Sequence, residues 1–312
     1  MSFGIFILRR LLWTLLLIPL VMLATYALMR GSGGSPFRPP EGYFVVPETY
    51  QRFLTEFYRL DEPWFVEYAN YVKNVFTFEF GPSMIFRNLD VSDVIRQSFP
   101  VTIELVLLAT AWAVPIGVTL GLLAAVRRNS VFDALATSTA SVMLVLPVFF
   151  VAFVFSEYLV FEWDLLPAGW GSWEAKILPS FALALAPIGY IARLVRAAAV
   201  ETLEEDYVRT ARAKGLRRRR VVWVHVLRNS LVPFLSAAVP MLALLVTGAF
   251  FVEQLFRIPG AASSFIEAAL TRDYPLIMGL TVALAVVVLV ANLISDVLLA
   301  LVDPRVREGI QG

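Results

Sequence analysis

The sequence predicts an all-α polytopic membrane protein with six transmembrane helices. Three observations carry that prediction. Hydrophobic residues make up 59% of the chain and charged residues 16%, whereas a soluble domain is nearer half apolar and a quarter charged. The apolar residues fall in blocks of about 20, the length a helix needs to cross the hydrocarbon core. The Lys and Arg residues gather on alternate connections between those blocks, the asymmetry that sets orientation in a bilayer.

Composition also excludes several function classes. The formal net charge is +1, so no global basic field points to nucleic acid. There is no cysteine, hence no disulfide and no thiolate metal site. His225 is the single histidine, which disfavours a histidine-based metal centre or a Ser-His triad.

Taken in order, the first apolar block runs from about Leu11 to Met29, just after Arg9 and Arg10. It is longer than the apolar region of a signal peptide, and no small-residue cleavage site closes it. It reads as an uncleaved first span within residues 1–30. Residues 31–98 differ in character. Gly31 to Ser35 is a flexible exit, and Pro39-Pro40 stiffens the stretch beyond it. Within Glu48 to Phe80, the apolar residues Phe53, Phe57, Leu60, Trp64 and Tyr68 recur at helical spacing. This reads as a small extramembrane insertion with short helices lying against the bundle or the membrane surface, the alternative being an interfacial amphipathic segment with no binding role.

Five more apolar blocks complete a core over residues 99–312: about Val101–Val126, Phe132–Val160, Ile177–Ala199, Ser230–Phe251 and Pro275–Leu301. With the N-terminus inside, the cytoplasmic side carries Arg9, Arg10, Arg127, Arg128, Arg193, Arg196, Arg209, Arg212, Lys214, Arg217 to Arg220, Arg228, Arg305 and Arg307. Those positions hold most of the 26 Lys and Arg on far less loop length than the opposite side. Both termini are therefore expected in the cytoplasm and the 31–98 insertion outside.

Polar and special residues inside the blocks have two readings each. Asn292 and Asp296 are four apart and share a helical face. An intramembrane carboxylate faces protein or water. It would line a pathway, or make an interhelical hydrogen bond near the cytoplasmic interface; the second reading is favoured. Glu104 reads as interfacial. Pro115, Pro147, Pro187 and Pro240 are candidate kinks. Gly117 and Gly121 form a small-xxx-small pair that suits close helix packing.

The connection over residues 200–229 is too elaborate to be a simple link. Acidic residues open it and basic residues close its first helix, which suits the helix dipole. Glu205 and Arg209 have the spacing of an i,i+4 ion pair. Gly215 supplies a left-handed cap where the chain must turn. A second helical segment starts near Arg217 and runs through His225 and Arg228 to the next span. Helix, glycine turn and helix make a rigid knob. The plainer reading is that its arginines fix topology and touch anionic lipid.

Longer strings decide between these readings. Asp206-Tyr207-Val208-Arg209-Thr210-Ala211-Arg212-Ala213-Lys214-Gly215-Leu216, then His225-Val226-Leu227-Arg228-Asn229 and Pro233, resembles the coupling loop of dipeptide/oligopeptide/nickel-type ABC importer permeases. Ala192 to Arg196 resembles the segment leading into that loop. Glu253 to Gly260 resembles the family's stretch after span five, Arg272-Asp273-Tyr274-Pro275 its entry to span six, and Asp303-Pro304-Arg305 its C-terminus. The similarity runs from about Phe78-Glu79-Phe80-Gly81-Pro82-Ser83 to the end. The sequence departs from ABC importer permeases at large, which place Glu-Ala-Ala six residues before the glycine; here Arg209, Thr210 and Ala211 stand there, as in the peptide branch. Residues 31 to about 77 match no part of the pattern.

The resemblance implies a type I ABC importer permease-like bundle in the prokaryotic plasma (inner) membrane. It implies a second homologous permease subunit, two cytoplasmic ABC ATPase subunits and an extracytoplasmic substrate-binding protein as partners. The ATPase-coupling surface would comprise Glu205, Asp206, Tyr207, Arg209, Thr210, Ala211, Arg212, Ala213, Lys214, Gly215 and Leu216. The chain would bind no cofactor itself. A phosphate-binding P-loop needs Gly-Lys followed by Ser or Thr. Lys73, Lys176 and Lys214 are the only lysines and none follows a glycine, so ATP would be consumed on partner chains. Peptide is the first expectation for the solute, with nickel chelates and oligosaccharides as alternatives. An ion-driven transporter would need ionisable relays within the spans, and an intramembrane enzyme a catalytic constellation; Asp296 alone supplies neither.

Overall fold

The computed structural model describes residues 3–31, 37, 46–85 and 88–302, apart from the side chains of 3–11, 14, 232–233, 235–240, 242–244, 247 and 294–302. The elements in chain order are α1 (Phe3–Gly31), α2 (Glu48–Tyr58), α3 (Trp64–Phe76), α4 (Val91–Val126), α5 (Val131–Val145) and α6 (Val148–Phe155). They continue as α7 (Trp173–Glu204), α8 (Asp206–Ala213), α9 (Arg218–Arg220), α10 (Leu227–Phe256), α11 (Ala261–Thr271) and α12 (Tyr274–Val302). Among the described residues no strand forms; a single antiparallel bridge pairs Pro82 with Asp90.

Helix starts follow local chemistry. Ser130 accepts the Asp133 N–H at 3.2 Å ahead of α5, and Ser172 accepts the Ala175 N–H at 3.3 Å ahead of α7. Both are side-chain N-caps that satisfy an otherwise orphaned donor. Asp90 does the same for the Ser92 N–H at the head of α4, at 2.7 Å.

Three described helices are long and apolar enough to cross a membrane: α4, α7 and α12 over Tyr274–Leu293. A fourth is added if α5 and the helix after it are one span, but the two meet at 99°. The single block expected over Phe132–Val160 is therefore broken. Pro147 explains the break. It has no N–H to donate, and it forces the preceding residue out of the helical region. Leu146 accordingly sits at φ −64, ψ 124. Beyond α6 the chain continues in wider i→i+5 turns over Ser156–Glu162. By contrast, Pro179 and Pro187 lie inside an unbroken α7. α4 begins ten residues ahead of its apolar block and runs for 36 residues, about 54 Å at 1.5 Å per residue.

The chain divides into two compact units, Met1–Thr102 with Pro259–Val290, and Ile103–Ile258 with Ala291–Gly312. In the first, Met22, Leu54, Tyr58, Met84, Met278 and Leu280 are buried in one cluster. Glu67 is buried there and accepts from the Tyr26 hydroxyl at 2.7 Å and from Arg30 at 2.8 Å, joining α3 to α1. The apolar spacing Phe53, Phe57, Leu60, Trp64, Tyr68 does not mark the buried face. The chain turns at Arg59, φ 57, so that stripe is split between two helices. Phe53, Phe57 and Trp64 stay 48%, 40% and 53% exposed, while Leu54, Tyr58, Glu67 and Tyr71 go inside.

The second unit is built around α7, buried along most of its length and packed against α5 and α10. Where α4 meets it, a side chain at Gly117 would come within 2.8 Å of the Ile191 Cβ, and one at Gly121 would collide with the Ala192 carbonyl. The glycine pair thus allows two backbones to touch, as its spacing suggests.

Candidate functional site

Residues 200–229 form the knob anticipated from sequence, and the local reasons can be traced residue by residue. α7 stops at Glu205, whose extended backbone (φ −65, ψ 146) turns the chain. The Glu205 carbonyl then accepts from the Val208 and Arg209 N–H groups at 3.1 and 3.2 Å, starting α8. Glu205 is thus a capping residue outside the helix, and no Glu205–Arg209 pair forms. Arg209 instead reaches Asp206 at 3.4 Å, three residues away and largely in solvent; such a pair contributes little.

α8 closes in a Schellman arrangement. The Leu216 N–H donates to the Ala211 carbonyl at 3.3 Å and the Gly215 N–H to that of Arg212 at 2.9 Å. Gly215 sits at φ +75, the left-handed conformation that a residue without Cβ adopts at little cost. After Arg217, α9 runs through i→i+5 turns over Val221–Val226 directly into α10.

α8 is amphipathic on a small scale. Val208 and Ala211 are buried, facing inward, and the helix packs on the 221–226 turns and the end of α7. Glu205, Asp206, Tyr207, Arg209, Thr210, Arg212, Ala213, Lys214 and Gly215 are exposed, and Leu216 is half-buried. The exposed side therefore comprises the expected coupling residues except the buried Ala211 and the half-buried Leu216.

Polar ties surround the base of the knob. Arg218 donates to the Val126 carbonyl at 2.8 Å, where a cation meets the negative end of α4. Arg128 pairs with Glu204 at 2.5 Å. About two turns further into α7, Arg196 grips Asp133 of α5 through Nε at 2.6 Å and Nη2 at 2.7 Å. The Asp133 carboxylate is almost fully buried and also accepts from the Asn129 N–H at 3.0 Å. Within the knob itself, Asn229 Nδ2 donates to the Tyr207 hydroxyl at 2.5 Å.

The other polar candidates are less connected. Asn292 is half-buried on α12, and the Asp296 side chain lies outside the described residues, as do Asp303 to Arg307. Glu104 is held by Lys176 at 2.6 Å. His225 is half-buried, and its carbonyl accepts from Asn229 at 3.1 Å.

A second polar centre, in the other unit, was named in the sequence only as part of two motifs. Asp273 is fully buried. Its carboxylate accepts from the Ser83 hydroxyl, from the Met84 N–H at 3.2 Å and from the Leu276 N–H at 3.3 Å. Burial pushes its titration above the usual carboxylate range, against the opposing pull of those donors. The signal available in the sequence was Asp-Tyr-Pro, an N-cap followed by a proline in the first helical turn. Nearby, the Tyr58 hydroxyl donates to the Pro82 carbonyl at 2.6 Å and the Tyr50 hydroxyl to that of Ser83 at 2.8 Å.

Residues 117–308 match the model of the family described as "Binding-protein-dependent transport system inner membrane component". The chain is 38% identical to the dipeptide transport system permease protein DppB of Bacillus subtilis over 284 residues, 91% of each chain. It is 36% identical to the oligopeptide transport system permease protein OppB of Haemophilus influenzae over 309 residues, covering 97% of this chain and 99% of that one. With OppB of Escherichia coli it shares 35% over 306 residues.

Proposed function

Because the chain belongs to the family of binding-protein-dependent transport system inner membrane components, we propose that it is one permease subunit of an ATP-driven importer of peptides or similar small solutes. Under this reading α1 and α10, at 29 and 30 residues, join α4, α7, α12 and the bent α5–α6 pair as six spans. The basic connections put both termini and the knob in the cytoplasm. The knob docks onto one of two ATPase subunits, a second homologous permease completes the pathway, and a substrate-binding protein delivers solute from outside.

The observation that carries this reading is the construction of the knob. A short helix with an exposed polar face is closed by a left-handed glycine and tied at its base by Arg218 to the end of α4 and by Glu204 to Arg128, while Arg196 joins the adjoining part of α7 to α5. A loop that served only to connect two spans would need none of these ties. A lever does, because work delivered at α8 must reach the spans without being lost in local bending. ATP is hydrolysed on the partner chains, and the spans rock between two openings.

The test is to reconstitute the purified assembly in proteoliposomes and follow ligand-stimulated ATP hydrolysis and uptake together. Gly215→Pro is expected to leave hydrolysis running while uptake falls. Normal uptake by that variant would place the coupling element elsewhere. Labelling of Ala213 from outside the cell, or uptake by the isolated chain without an ATPase, would end the reading altogether.

A further inference from the structure

α3 sits beside the C-terminal half of α1. The Tyr68 hydroxyl donates to the Pro19 carbonyl at 2.6 Å. One residue earlier, Glu67 is buried against Tyr26 and Arg30, and the Tyr26 ring lies 5.8 Å from Tyr68 and 6.2 Å from Tyr71. Pro19 is twelve residues before the end of α1 at Gly31, about 18 Å along its axis. That is a large part of a hydrocarbon layer about 30 Å thick. α3 is thus alongside the apolar body of α1, below the tip where the chain leaves it.

Among the described residues, nothing covers the opposite side of α3. Phe65, Ala69 and Phe76 lie on one stripe, with Val72 half-buried at its edge, and Trp64 opens the helix. Trp64, Phe65 and Phe76 are 53%, 57% and 46% exposed. Lys73 is the one cation of α3, at the border of the stripe, where a long stem can lie along apolar surface and carry its ammonium to the boundary. On α1 the exposed residues over the same stretch include Leu16, Leu20, Leu23 and Leu28. The Tyr68–Pro19 bond sets the α3 stripe at the depth of those leucines.

Resting on the reading of α1 as a span, we infer that α3 is embedded in the outer leaflet of the bilayer, with its Phe65–Phe76 face against acyl chains. It is not part of a water-exposed domain. The helix then explains its own polar anatomy. Glu67 and the Tyr68 hydroxyl are turned toward α1 because lipid cannot satisfy them. Three aromatic rings are left outward because lipid can accept them at no hydrophobic cost. A partner protein seated on this stripe is the competing occupant. The match in depth between α3 and the exposed leucines of α1 favours lipid.

The absence of native cysteine makes site-directed spin labelling clean. Single variants Phe65→Cys, Phe76→Cys, Leu16→Cys and Arg52→Cys, the last on the polar side of α2, would be labelled in the full chain with its co-purifying subunits. They would be placed in nanodiscs of phosphatidylethanolamine and phosphatidylglycerol. Accessibility to oxygen, which partitions into lipid, is compared with that to an uncharged nickel chelate, which stays in water. Labels at 65 and 76 should show a severalfold higher oxygen-to-chelate ratio than the label at 52. Their ratio should approach that at 16, at a depth of about 5–10 Å or more below the headgroup boundary. Chelate-accessible labels at 65 and 76 with a lipid-embedded label at 16 would overturn this inference alone. Labels at 65 and 76 shielded from both reagents would assign the stripe to a protein partner and overturn it equally. A chelate-accessible label at 16 would remove the span on which it rests.

Discussion

The buried carboxylate of Asp273 accepts a hydrogen bond from the Ser83 hydroxyl, joining segments 190 residues apart. The same carboxylate caps α12 through the Leu276 N–H and holds the Met84 N–H. One side chain therefore fixes both the entry to the last long helix and the 81–85 turn. Asp273→Ala would orphan buried donors at about 1–3 kcal/mol each. The expected result is a clear fall in melting temperature of the purified protein. Asp273→Asn keeps one oxygen for the Met84 and Leu276 N–H groups, while its new NH2 requires the Ser83 hydroxyl to turn from donor to acceptor, and it should be milder than Asp273→Ala. Equal losses in both variants would mean that packing, not hydrogen bonding, sets the cost.

The same residue predicts a pH dependence. Burial is the largest influence on Asp273 and raises its titration above the usual carboxylate range. A carboxyl raised in the folded state binds its proton more tightly there than when unfolded. Its contribution to stability is then fully present below the unfolded value and is lost as pH rises through the folded one. Melting followed from acid toward neutral pH should show this loss in the native protein, and Asp273→Asn should flatten it. An unchanged slope in the variant would assign the titration to another group.

Gly215 separates backbone conformation from side-chain crowding. A Cβ there would meet nothing within 4 Å, so any penalty comes from φ +75 alone. Gly215→Ala should cost about 1–2 kcal/mol locally and retain most solute-stimulated ATP hydrolysis and uptake. Gly215→Pro fixes φ near −65° and removes the N–H that bonds Arg212. It should separate hydrolysis from uptake. Identical behaviour of the two variants would show that the left-handed cap does not govern coupling.

Much of the fold was legible because the bilayer imposes one rule, an apolar run of span length, on every crossing. The blocks at Ile177–Ala199 and Pro275–Leu301 fall within α7 and α12 for that reason. The failures have equally specific causes. Hydropathy missed the first ten residues of α4, because Asp93, Arg96 and Gln97 interrupt the apolar run while leaving the helix intact. Pro147 could be marked as a possible kink, but a 99° break depends on what packs around it, as the uninterrupted Pro187 shows. At the knob, Gly215 was readable from its place after a basic turn. Arg196 and Asp133 were not readable as a pair, because 63 residues separate them and no periodicity spans that distance.

That pair carries the last prediction. Arg196 presents two nitrogens of one planar fork to both oxygens of Asp133, at 2.6 and 2.7 Å. The arginine side chain keeps 29% exposure and the aspartate 6%, so the carboxylate is the member that depends on its partner. Arg196→Ala would leave the Asp133 carboxylate without its cation, held only by the Asn129 N–H at 3.0 Å and the Thr137 hydroxyl at 3.4 Å, a loss of about 1–3 kcal/mol. Arg196→Lys keeps the charge but not the bidentate geometry, and should fall between the two. Removing the carboxylate as well, in Asp133→Asn with Arg196→Ala, should recover part of the loss, because no unpaired ion then remains. A thermal-melting cycle over the native protein, the two single variants and the double variant reads the coupling directly. If the double variant is as unstable as the sum of its parts, the ion pair does not tie α5 to α7. The uptake assay then supplies the functional half. The pair lies between the knob and the body of the bundle, so Arg196→Lys should impair uptake more than it impairs ATP hydrolysis.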